Sequence, residues 1–300
     1  MFFGLLIILL PLITGYLLPL NQSVLKIIVN KLLTWMIYVI LFFMGVSLAF
    51  LDNLGNNLLT IVHISLVTAC AITSCNMIAL SLLARLYPWP HVHQHESRLP
   101  SRLHMIFEPL KLCGVVLSGF IVGLTCWPPL RHAHTFSEYA LMLLLLLVGL
   151  QLRNSSMTLR QIVLNPRGLV VALIVCVSAL VGGVLAALII NIPVRTGLAL
   201  SSGFGWYSLS GIMLTKAFGP VTGSAAFFND LVRELLAIIF IPSLITRHRT
   251  SALGICGSTS MDFALPVLQR SGGNEIVPAA IIHGFLLSLL APLLMAFFSA

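Results

Sequence analysis

Charge is what this chain has least of. Only 8% of its 300 residues are Asp, Glu, Lys or Arg, against about 25% in an average soluble domain. A further 59% are hydrophobic, and the mean hydropathy is +1.06. Such a chain cannot cover a core with a charged surface, which excludes a soluble enzyme. Other absences narrow the choice. No phosphate-binding glycine loop, GxSxG elbow or HExxH helix is present, so ATP drive and the common hydrolase chemistries lack their residues. No basic cluster lies beside exposed aromatics, which argues against nucleic acid. Cysteines Cys70, Cys75, Cys113, Cys126, Cys176 and Cys256 form no CxxC pair. Most lie in apolar runs, where buried thiols are expected rather than a disulfide or metal framework.

What is present is length in the apolar runs. Stretches at 2–20, 32–51, 58–83, 112–130, 139–152 and 168–190 approach the roughly 20 residues that a membrane helix needs. The fifth is short and must borrow from its neighbours or be broken. The opening run has no basic flank and no small-residue cleavage site, so it reads as a first membrane helix rather than a removable leader. Helices are the open-chain solution to a bilayer, because lipid offers backbone groups no partners. The expectation is one all-α domain over 1–300, a polytopic helical bundle.

The scarce cations are unevenly distributed. Alternate connectors carry Lys26, Lys31, Arg85, Arg98, Arg102, Lys111, Arg153, Arg160 and Arg167, whereas the opposite set carries Arg131 and Arg195. Nine against two turns the first set toward the cytoplasm and the N-terminus toward the periplasm.

The last third departs from this pattern. Segment 197–221 is rich in Gly and Ser and closes on Lys216 and Gly219-Pro220; segment 251–268 reads SALGICGSTSMDFALPVL. Between them, 222–243 is apolar but holds Asn229, Asp230, Arg233 and Glu234, and the basic loop Arg247-His248-Arg249 follows. If every stretch crosses, there are ten crossings and that loop lies outside, against the charge rule. If 197–221 and 251–268 are re-entrant or broken segments, about eight full spans remain, the loop is cytoplasmic and both termini are periplasmic. Charge counting favours eight. Paired Gly-interrupted segments of this kind point to a transporter's binding site.

Three acids fall at membrane depth: Asp230, Glu234 and Asp262. Each costs about 2.5–3.5 kcal/mol on insertion scales. Arg233 is three residues from Asp230, a spacing that suits a self-neutralising ion pair on one helix face. Glu234 is then the unbalanced acid of that helix. Asp262 follows Gly257-Ser258-Thr259-Ser260-Met261 and precedes Pro266, a stretch that breaks a helix and frees backbone groups for a ligand. Two unpaired carboxylates meeting near the midplane would attract a cation, and a carboxylate that exchanges a proton for a cation is the basis of proton-coupled antiport. Residues 201–211, with Ser202, Gly203, Gly205, Trp206, Tyr207 and Ser208, supply hydroxyls, free backbone and two aromatics. Tight helix packing is the plainer alternative; a substrate-lining break fits the composition better.

The remaining polar residues carry less. His91, His93 and His95 alternate in a Pro-flanked loop that lacks the scaffold of a metal site. His63 and His283 read as core or pore residues. Asp52 reads as a helix cap, with binding at an outer gate as the alternative. No cofactor is called for.

At four blocks the chain resembles the LysO-type bacterial lysine exporter family: LFFMGVSLAFLDNL at 41–54, LLLLLVGLQLRN at 143–154, SGFGWYSLSGIMLTKAFGPVTGSAAFFNDLVRE at 202–234 and GSTSMDFALPVLQRSGG at 257–273. The resemblance runs along the whole chain. It implies an inner-membrane carrier that expels lysine and its toxic analogue thialysine, driven by the proton gradient. It also implies that the intramembrane acids of the family fall on Glu234 and Asp262. The residues alone supply a cationic substrate and proton coupling; lysine comes from the resemblance. Read without it, a passive cation or amino-acid channel stays open. An intramembrane aspartyl-type enzyme is the weaker alternative, since the pair here is one Glu and one Asp.

Overall fold

A computed structural model describes residues 2–18, 23–50, 54–89, 102–125, 133–154 and 165–300. Every regular element among them is helical. In chain order these are α1 (Phe2–Leu17), α2 (Ser23–Ala49), α3 (Leu54–Leu86), α4 (Arg102–Gly123), α5 (Ala133–Asn154), α6 (Pro166–Ile190), α7 (Val194–Ser201), α8 (Tyr207–Phe218), α9 (Pro220–Leu244), α10 (Arg249–Ile255), α11 (Leu265–Gly272) and α12 (Val277–Ser299). Short 3-10 turns at Gly257–Met261 and Asn274–Ile276 flank α11. The apolar stretch expected at 139–152 gains its length upstream, because α5 begins at Ala133.

Among the described residues, four helical stretches are long and apolar enough to cross a membrane: Ile27–Ala49, Gly55–Leu86, Pro166–Ile190 and Val277–Ser299. Lys111–Gly123 is a shorter apolar helix. The 25 residues of α9 have the length too, but three charges interrupt their hydropathy. The distribution of side chains fits a bilayer. Leu59, Ile78, Val177 and Ile189 are more than half exposed, while Ser201, Ser210, Asn229, Asp230 and His283 are fully buried. A soluble domain does the reverse.

Helices α1, α2, α4 and α5 pack among themselves, and α3 and α6 pair alongside α7–α12. Small residues set the spacing. Gly15 of α1 lies on the Leu146 carbonyl of α5, and Gly45 of α2 on the Val116 carbonyl of α4. Without hydrophobic drive between helices in lipid, such backbone-to-backbone approach is what holds them.

The start of α6 follows from its sequence. Pro166 occupies the first turn and the Asn165 side chain accepts the Gly168 N–H at 3.2 Å. Asn191, in the left-handed region, ends the helix. The chain then doubles back, so that Gly183 of α6 faces both Gly197 and Ser201 of α7. Gly219, at φ 87°, and Pro220 make a second tight reversal between α8 and α9. There Gly223 rests against Gly211 and Thr215. The two Gly-rich segments singled out in the sequence are therefore both interrupted helices: α7 and α8 part at 202–206, and α10 and α11 at 256–264.

Candidate functional site

The two interruptions touch. Phe204 has φ 49° and Gly205 has φ 88°, and these two left-handed residues turn the chain out of α7. A bulky side chain at positive φ is an outlier that needs surrounding structure to hold it. Here Phe204 is fully buried. Its carbonyl oxygen accepts the Ser258 N–H at 2.9 Å and the Ser258 hydroxyl at 3.2 Å. On the other side Gly257 has φ 59° and lies directly on the Phe204 carbonyl, where a Cβ would collide. Each break thus supplies the partners that the other lacks.

Helix α9 braces the first break. Asp230 Oδ1 accepts the Gly205 N–H at 3.1 Å, Asn229 Nδ2 at 3.2 Å and Arg233 Nη1 at 2.9 Å. Asn229 Nδ2 also donates to the Leu200 carbonyl at the end of α7, at 3.3 Å. Asp230 Oδ2 abuts Gly203, and a Cβ there would overlap it. The i,i+3 ion pair read from the sequence is present, with both side chains buried. Ser202 closes α7 through its hydroxyl on the Leu198 carbonyl at 2.7 Å. Ser208 is buried, while Trp206 and Tyr207 are half-buried.

Glu234 lies one turn beyond Asp230, at 3% exposure. The Tyr207 hydroxyl is its side-chain partner, and its Oε2 has no hydrogen-bond partner among the described residues. Its carboxylate lies within electrostatic reach of both Asp262 and Asp230. Asp262 sits just past the 3-10 turn and is exposed; its Oδ1 accepts the Phe263 N–H. The structure therefore brings Glu234 and Asp262 into one neighbourhood, a covered acid beside an open one.

Ser260, in the same 3-10 turn, donates to the Ala280 carbonyl of α12 at 2.9 Å and lies 2.8 Å from His283 Nδ1. His283 is fully buried, and its Nε2 has no hydrogen-bond partner among the described residues. The core reading of His283 fits this buried, hydrogen-bonded position, whereas Ser258 and Phe204 were not singled out in the sequence. Their signal was weak: one serine among several, and an aromatic beside a glycine. Asp52 and His91, His93 and His95 lie outside the described residues. Among the described residues no group of His, Cys, Asp and Glu is arranged to hold a metal ion.

A helical membrane bundle whose two interrupted helices meet beside buried carboxylates has the architecture of a transport protein. The profile of the family described as "Lysine exporter LysO" matches residues 113–299. The Escherichia coli (strain K12) protein named lysine exporter LysO is 63% identical over 300 residues, covering 100% of both chains. A Haemophilus influenzae protein named putative lysine exporter is 44% identical over 190 residues, which are 63% of this chain and 97% of its own. The chain belongs to the lysine exporter LysO family.

Proposed function

We propose that the protein is a secondary active exporter of L-lysine, and of its analogue thialysine, working by proton antiport across the bacterial inner membrane. Full-length likeness to a protein named as a lysine exporter supports the substrate. What supports the mechanism is buried Glu234 within electrostatic reach of exposed Asp262, beside the crossed breaks.

Lysine's ammonium needs an anionic partner once its water is stripped, because an unpaired charge at membrane depth costs several kcal/mol. Two like charges held near one another gain when a cation comes between them. In this reading Asp262 is met first and Glu234 closes the contact, with the Tyr207 hydroxyl orienting the carboxylate. A proton takes the same carboxylates when lysine leaves. If an empty, deprotonated carrier rarely reorients, competition for one site gives exchange. Asp230 is committed to Arg233, Asn229 and Gly205, so its part is to hold the first break in place. About eight full spans, with two broken segments and both termini periplasmic, complete the reading.

Expression in a host lacking its own exporter tests this function. Export predicts restored thialysine resistance and faster loss of labelled lysine from preloaded cells. Unchanged sensitivity at normal membrane levels would overturn it.

A further inference from the structure

Away from the crossed breaks, a cleft of about 500 Å³ opens at the end of the molecule where α6 and α12 begin. It is lined by Tyr87 and Trp89 from the end of α3, Asn165 and Arg167 from the start of α6, and Glu275 and Ala279 beside the start of α12. Gly168 abuts the Ala279 carbonyl, which keeps the two helix starts together. The size suits a small molecule. Its walls carry one cation and one anion, and among the described residues no ion pair joins Arg167 to Glu275. The Arg167 guanidinium lies 5.3 Å from the Tyr87 ring centroid and 5.1 Å from that of Trp89. These rings hold it by cation–π contact, and its Nε has no hydrogen-bond partner among the described residues. Glu275 is exposed.

A held guanidinium and an exposed carboxylate lining one cleft offer partners for the two ends of an amino acid. Guanidinium forks bind carboxylates in two-point contact, and Glu275 can take an ammonium group. We infer that this cleft is a loading site for a basic amino acid, seating its carboxylate on Arg167 and an ammonium group on Glu275 before the substrate moves to the carboxylates of the breaks. The inference rests on the export reading for its substrate. With the orientation proposed above from the loop charges, this end lies on the cytoplasmic side, where an exporter collects its cargo.

The test uses purified full-length protein in lipid nanodiscs and proteoliposomes, with labelled lysine as the probe. Arg167→Gln and Glu275→Gln should each raise the lysine concentration for half-maximal flux about tenfold, the loss expected for one charge-assisted bond. Maximal flux should stay within about twofold and melting temperature near wild type. In nanodiscs, the Glu234→Gln/Asp262→Asn protein should keep one class of lysine site, lost when Arg167→Gln is added. An unchanged half-saturation concentration in both single variants overturns the cleft, provided the wild type transports. So does a double variant without residual lysine binding whose Arg167-dependent stability changes when ethanolamine lipids replace choline lipids; that pattern marks a lipid headgroup as the occupant. Absence of lysine flux in the wild type overturns the export reading itself.

Discussion

The Phe204 carbonyl oxygen accepts two hydrogen bonds from Ser258, from its backbone N–H at 2.9 Å and its hydroxyl at 3.2 Å. These residues belong to different interrupted helices, 54 positions apart in the chain. In lipid an unpaired carbonyl costs several kcal/mol, so each break is tolerated because the other is beside it.

Gly257 should therefore be more sensitive than Ser258. Gly257→Ala places a Cβ on the Phe204 carbonyl and forces an alanine into the left-handed region, which alone costs about 1–2 kcal/mol. Ser258→Ala removes one of two bonds and should cost about 1 kcal/mol. Thermal unfolding of purified protein compares them; equal midpoints would contradict the crossing described here.

Removing Arg233 should be worse than removing the pair. Arg233→Ala leaves Asp230 buried without its cation, a loss of about 3–5 kcal/mol, whereas Asp230→Ala/Arg233→Ala strands no charge and loses only the contacts of Asp230 to Gly205 and Asn229, about 1 kcal/mol each. Membrane levels of the two single variants and the double variant measure this. Equal losses in all three would rule out a mutually neutralising role.

His283 should act through Ser260. Asn at 283 can still offer a donor near the position of Nδ1, while Ala cannot. His283→Ala should lower stability by about 1 kcal/mol and slow transport through a displaced Asp262. His283→Asn should recover most of both. Identical behaviour of the two variants in flux and melting experiments would show that the Ser260 contact has no such role.

Topology is open to direct mapping. Reporters active on one side of the membrane, fused at residues 95, 160, 249 and 300, should give cytoplasmic signals at the first three and a periplasmic signal at 300. A periplasmic signal at 249, or a cytoplasmic one at 300, would reject the eight-span arrangement.

Much of this was legible in the sequence because a bilayer imposes simple rules. Apolar length marks the helices, and clustered Gly and Ser mark where α7–α8 and α10–α11 come apart. The Asp230–Arg233 pair followed from helical spacing. What the sequence hid is contact between distant segments. Nothing local in FGWY tells that Phe204 takes a left-handed conformation, because that conformation is held by Ser258 and Gly257 far along the chain. Likewise Glu234 and Asp262 could be singled out as unpaired acids, but their nearness depends on the crossing of the breaks. The Arg167–Glu275 cleft was invisible for the same reason: its residues come from the ends of three helices.

In the proposed mechanism Glu234 and Asp262 carry lysine and protons in exchange. Labelled-lysine flux in proteoliposomes with an imposed pH gradient tests it most directly, comparing wild type with Glu234→Gln and Asp262→Asn, which keep side-chain size but cannot ionise. The account predicts gradient-driven lysine movement in the wild type and its loss in both variants at normal protein levels, with partial activity in Glu234→Asp. Wild-type, gradient-dependent flux in the variant lacking both carboxylates would contradict it.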